Sequence, residues 1–186
     1  MSHAARKSTS ATFNLTDQIA QRLREAGAIA LLAVSLFLIV ALISYQPSDP
    51  GWTKASGTEK VINPSGLVGA WIADVTLYFF GRLSFLFPFV LLVFSWLVWT
   101  RKIKQIFSDH VLIFVRLVGF IFVLSAGTGL LWVRSAGGAG LSSYHTGGVL
   151  GELAGAGAFL FFGEVGGSLV LVAAFFAGIT LFTNVS

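Results

Sequence analysis

The sequence predicts an all-α integral membrane protein with four transmembrane helices, arranged as two related helical hairpins with short outer-surface helices. Three observations predict it: an apolar composition, four long stretches without central charges, and an uneven distribution of lysine and arginine. Of the 186 residues, 55% are hydrophobic and only 11% charged, and the mean hydropathy is +0.84. So few polar side chains could not cover a soluble domain of this size. Cysteine is absent, which excludes disulfides, thiolate metal sites and thiol nucleophiles. His3, His110 and His145 show no metal-binding spacing, so no metal and no cofactor is expected.

Residues 1–25 form a cytoplasmic N-terminal segment. Within it Leu15, Ile19 and Leu23 recur every four residues beside Arg22 and Arg24, which predicts a short helix lying on the anionic inner leaflet. Residues 26–183 form the membrane domain. Ala26–Tyr45 is an uncharged run of 20 residues, long enough at ~1.5 Å per residue for the ~30 Å hydrocarbon core. It is longer than the ~7–15 apolar residues of a cleaved signal, so it reads as an uncleaved anchor.

The next apolar region, Leu67–Trp99, has 33 residues and as one helix would measure ~50 Å, too long for one crossing. Gly81-Arg82 is the natural break. It leaves a surface helix over 67–80 and a span over 83–100, with Pro88 tolerated in the first turns of that span. On the surface helix Leu67, Val68, Trp71, Ile72, Val75, Tyr78 and Phe79 form an apolar face suited to lipid, and Gly66, Gly69, Ala70 and Ala73 a small face suited to another helix. Residues 111–132 and 165–182 are the third and fourth spans.

Arg6, Lys7, Arg22 and Arg24 precede the first span, and Arg101, Lys102 and Lys104 lie between the second and third. Only Lys54, Lys60 and Arg134 fall in the other two loops. Seven against three predicts both termini in the cytoplasm. Trp52, Trp71, Trp99 and Trp132 sit near span ends, as interfacial aromatics do. Arg82 and Arg116 read as side chains that snorkel to the nearer interface.

Residues 66–81 (GLVGAWIADVTLYFFG) laid over 148–163 (GVLGELAGAGAFLFFG) match glycines at the first, fourth and last positions and a Phe-Phe pair. The offset, 148 minus 66, is 82. It carries span one onto span three and span two onto span four, which suggests a duplication with glycine hinges at Gly81 and Gly163. In the second half Gly147, Gly151 and Gly155, with Gly163 and Gly167, are expected to form a close helix contact, within the bundle or between copies.

Ser48-Asp49-Pro50-Gly51 has proline and glycine at the central positions of a type II turn, with Asp49 set to accept a local hydrogen bond. Asp74, Glu152 and Glu164 lie close to loops and read as interfacial acids rather than proton relays.

The segment SYQPSDPGWT, Ser44 to Thr53, resembles the signature after the first span in the N-terminal membrane domain of the FtsK family of bacterial cell-division DNA translocases. Gly69-Ala70-Trp71-Ile72-Ala73-Asp74 resembles that family's GAWxAD element, 147–151 its second outer-loop glycines, and 178–183 (GITLFT) the end of its fourth span. Pro47, Asp49, Pro50, Gly51, Trp52, Gly69, Trp71 and Asp74 are thereby candidate interaction residues. The resemblance implies a membrane anchor and divisome-interaction scaffold at the septum of the bacterial inner membrane, acting in cell division and chromosome segregation. It also implies homo-oligomers, with a hexamer in the family, and contacts with other divisome membrane proteins and the lipid bilayer. No GxxxxGK[ST] phosphate loop occurs in the 186 residues. The chain is therefore expected to be non-enzymatic, ATP and magnesium being implied only for the family's motor, and to bind no nucleic acid directly. The alternative is a small multi-pass transporter or channel subunit, against which stand span centres without ionisable residues.

Overall fold

The computed structural model describes residues 2–53, 61–100, 109–136 and 146–183, with the side chains of 2–16 and 135–136 left aside. All regular structure among them is helical. Helix α1 runs over Ser2–Ile43, α2 over Gly66–Phe80, α3 over Leu86–Trp99, α4 over His110–Ala136 and α5 over Gly148–Thr183. A 3-10 segment, Gly81–Phe85, joins α2 to α3. Four stretches are long and apolar enough to cross a membrane: Asp17–Ile43, Gly66–Trp99, His110–Arg134 and Gly148–Thr183. Lys54, Lys60 and the basic residues at 101, 102 and 104 lie outside the described residues.

The first helix departs from expectation. The N-terminal segment does not form a separate in-plane helix, because α1 is one run of 42 residues through residue 25 into the span. No proline or turn-forming pair interrupts the run, so each added residue gains one backbone hydrogen bond and the helix propagates.

The predicted break at Gly81-Arg82 is present. Gly81 ends α2 at φ 53°, where its N–H donates to the Leu77 carbonyl, and Phe80 precedes it at φ −115°. The second hairpin repeats the device: α5 is helical on both sides of Gly163, which sits at φ 70° and ψ −179°. Such a conformation is open to glycine and strained for residues with a Cβ. Positive-φ glycines occur at 66, 81, 148 and 163. They fall in two pairs separated by the repeat offset, 66 with 148 and 81 with 163, so the duplication is written in the backbone as well as in the letters.

Each hairpin packs through small residues. In the first, Ser35 of α1 donates to the Pro88 carbonyl of α3 at 2.7 Å and Ser95 of α3 donates to the Ala28 carbonyl at 2.8 Å. Ala28, Ser35 and Leu42 of α1, spaced seven apart, are buried. The small side chains of Ala28 and Ser35 let α1 and α3 run close in lipid, where there is little hydrophobic drive and association rests on packing and hydrogen bonds, while Leu42 packs with Ala73 of α2. In the second hairpin, α4 and α5 approach closely where Gly119 faces Gly178, a methyl on Gly178 standing 2.9 Å from the Gly119 carbonyl oxygen and 2.8 Å from the Val123 nitrogen, and again where a methyl on Gly151 would stand 2.5 Å from the Thr128 carbonyl oxygen. The hairpins join through an aromatic run, Phe80 to Phe87 to Phe120 to Phe182, with ring centroids 4.9, 6.2 and 5.6 Å apart.

Candidate functional site

The motif residues converge on the end of the first hairpin where α1 stops and α2 begins. Pro47 fixes its own φ and closes a turn in which the Asp49 N–H donates to the Gln46 carbonyl at 3.1 Å. The turn is thus 46–49 rather than 48–51. Gly51 is not among the positive-φ glycines, so the type II turn expected from Pro50-Gly51 does not form. Tertiary contact overrides the local preference: Gly51 is held against α2, where a Cβ would come within 2.5 Å of the Asp74 carboxylate. The two motif segments therefore lock into each other, with Gly51 the point of approach.

Asp49 does accept hydrogen bonds, from distant rather than local donors. Its two oxygens take the Ile62 N–H at 2.8 Å and the Asn63 N–H at 2.9 Å, which pins the far end of the loop between α1 and α2. Asn63 relays the constraint to α1. Its Nδ2 donates to the Ala41 carbonyl at 2.9 Å, one of the last-turn carbonyls that lack a helical partner. Its Oδ1 accepts the Ser65 N–H at 2.9 Å and the Ser44 hydroxyl at 3.1 Å.

Asp74, about two turns into α2, accepts the Thr53 N–H at 2.8 Å, the Thr53 hydroxyl at 2.9 and 3.0 Å, and the Tyr45 hydroxyl at 3.0 Å. Asp49, Asn63 and Asp74 are 7%, 3% and 6% exposed. Burying a carboxylate is costly unless its oxygens are fully bonded, and here donors surround both acids. Tyr45 is the complement: its pKa is pushed up to about 12, first by burial and then by the hydrogen bond to Asp74 and that group's charge. It is a proton donor throughout the physiological range. A cage of this kind holds shape. Among the described residues no group of three histidine or acidic side chains is arranged to hold a metal.

Pro47, Asp49, Pro50, Gly51, Trp52, Gly69 and Asp74 are all in or beside this clasp. Gly69 is buried, and a Cβ there would reach 3.3 Å from that of Ala41. Trp52 and Trp71 stand outside, 63% and 45% exposed. Tyr45, Thr53 and Asn63 were not singled out by the sequence. The first two lie within the quoted SYQPSDPGWT, and an asparagine just before proline and serine at a helix start is a capping signal for the third.

The second-hairpin glycines do not form one stripe. Gly147, Gly151 and Gly155 pack within the bundle on α4, around Thr128, Gly129 and Trp132. Gly167 tucks under Ala158 and Phe159 across the hinge, and Gly163 faces open space. The cause is the hinge itself, which turns the helix so that four-residue spacing no longer keeps one face. The glycine crossing of Gly119 with Gly178 was missed, although each is an isolated glycine in an apolar span.

A clasped loop on two closely packed hairpins defines a polytopic α-helical membrane domain. A family model described as the 4TM region of DNA translocase FtsK/SpoIIIE matches residues 20–186, and the chain belongs to that family. The DNA translocase FtsK of Shewanella oneidensis is 32% identical over 166 residues, 89% of this chain and 18% of the relative. That of Pseudomonas aeruginosa is 35% identical over 170 residues, 91% of this chain and 21% of the relative. That of Vibrio vulnificus is 32% identical over 166 residues, 89% and 16%. The chain thus spans about a fifth of the length of the curated relatives it matches. No solved structure matches it.

Proposed function

We propose that this chain is the membrane anchor of an FtsK-like DNA translocase and a scaffold for the divisome, acting in cell division and chromosome segregation at the septum of the bacterial inner membrane. Both termini face the cytoplasm, copies form a homo-oligomer, by family resemblance a hexamer, and the outer clasp is the surface that other divisome membrane proteins read. The chain itself neither hydrolyses ATP nor binds DNA beyond weak, salt-sensitive attraction to its basic N-terminus. The observation that carries the reading is the clasp: two family motifs, far apart in sequence, are spent on making one fixed outer surface beside the exposed Trp52. Rigid presentation lowers the ordering cost of binding a partner.

The test is a fluorescent fusion in dividing cells. Trp52→Ala, which leaves the cage bonds intact, is expected to keep normal membrane levels and lose at least half of the septal enrichment. Asp49→Ala, which opens the cage, is expected to lose it as well. If both variants remain at the septum like the parent, the clasp is not the recruitment surface. Purified chain that hydrolyses ATP above a detergent blank would contradict the non-catalytic part.

A further inference from the structure

The two hairpins are joined by a contact that only one of each pair of equivalent surfaces makes. The hinge of the first hairpin sits on the start of the second hairpin's outer helix. The Arg82 N–H donates to the Thr146 carbonyl at 3.1 Å, and a Cβ on Gly148 would stand 2.6 Å from the Phe79 carbonyl and 2.7 Å from the Gly81 nitrogen. At the equivalent surfaces, the second hinge at Gly163 and the first helix start at Gly66, nothing among the described residues lies within 4 Å of where a Cβ would point.

Exposure follows the same asymmetry on both sides. Phe79 is 39% exposed and its counterpart Phe161 79%. Leu83 is half-buried against Gly127 of α4, while its counterpart Val165 is 76% exposed. On the receiving side Val149 and Leu150 are half-buried, while their counterparts Leu67 and Val68 are 53% and 65% exposed. One hinge surface and one helix-start surface, each used once inside the chain, are each left over once.

We propose that the leftover pair meets between copies: the Gly163 hinge of one chain docks on the Gly66 helix start of a second copy, repeating the contact that joins the hairpins. This deepens the homo-oligomer reading and rests on it. The surfaces differ from each other, so the contact is head-to-tail and generates a ring when the rotation closes. The bilayer restricts that rotation. All copies share one orientation, and the two hairpins, related by a parallel repeat with α1 and α4 running the same way, already differ by a rotation about the membrane normal. In lipid, bare apolar exposure gives little drive, but backbones bared by glycine can approach closely, as Gly81 and Gly148 already do.

The absence of cysteine makes engineered thiols unambiguous. In membranes, oxidation of Arg82→Cys/Thr146→Cys is expected to give an intrachain disulfide, which fixes the geometry of the internal contact. The equivalent pair, Glu164→Cys with Pro64→Cys, is expected to move most of the protein into a ladder of disulfide-linked multimers. Glu164→Cys with Ser65→Cys serves as a second pair that keeps the proline. Each single variant stays monomeric, because a head-to-tail contact never sets a residue against itself. Lysine-directed crosslinking of the parent chain is run beside them. Multimers by the lysine reagent with no ladder from either pair would overturn this interface and leave self-assembly standing through another surface. Monomers by both routes would overturn the interface and the homo-oligomer reading together, leaving lipid on the hinge.

Discussion

Gly51 has no side chain because its space is taken by Asp74. A Cβ there would sit 2.5 Å from a carboxylate oxygen that also holds the Thr53 N–H. Gly51→Ala must therefore push α2 and the loop that follows α1 apart, and we expect a loss of ~1–3 kcal/mol, the usual range for overpacking a filled site. Thermal unfolding in detergent checks it, and a melting temperature unchanged from the parent would refute the clasp geometry. Tyr45→Phe removes one donor to a buried carboxylate and should cost ~1–3 kcal/mol. Its pH signature follows from the raised pKa of about 12. In the unfolded chain the phenol titrates near ~10, so the Tyr45 contribution is fully present below that pH and is lost as pH rises from there through about 12. Melting curves of parent and Tyr45→Phe are expected to keep a constant gap from neutral pH to ~9 and to converge at higher pH. A gap that closes below neutrality would contradict the assignment to Tyr45.

At the scale of elements, the two hinges share one backbone conformation and differ in surroundings. Any Cβ at Gly81 or Gly163 meets the penalty of positive φ, roughly 1–2 kcal/mol. At Gly81 it also collides with the Thr146 backbone, whereas at Gly163 it meets open space within one chain. Gly81→Ala is therefore expected to lower the melting temperature of the detergent-solubilised monomer more than Gly163→Ala, and equal effects would deny the first hinge its contact. Loss of one interhelical hydrogen bond in Ser95→Ala should cost only ~0.6 kcal/mol, as such bonds do in membranes. The elements that were legible in the sequence are those set by length: a run of 33 apolar residues must break, and Gly81-Arg82 was the available place. The unbroken α1 and the turn at 46–49 were not legible. The first was hidden by the switch from polar to apolar residues near 25, which looks like a boundary although no helix breaker stands there, and the second needed knowledge that Asp74, 23 positions from Gly51 (74 minus 51), would claim the glycine first.

For the whole molecule, the repeat at offset 82 was readable because it is spelled in glycines. What each copy of the repeat touches was not, since the first hairpin carries the carboxylate cage and the second has Ala156 where Asp74 stands. Orientation is tested by alkaline phosphatase fusions, expected to be active after positions 56 and 140 and inactive after 105 and 186. Activity after 105 would invert the topology. The crossing of Gly119 with Gly178 lies beside the last turn of α5, next to Phe182, whose ring is tilted against that of Phe120 at 5.6 Å. A load applied to the C-terminal end of α5 therefore enters the bundle at a close crossing of two helices. It is resisted in shear along α4 instead of peeling α5 away turn by turn, as a rope holds better when it is cleated close to the pull.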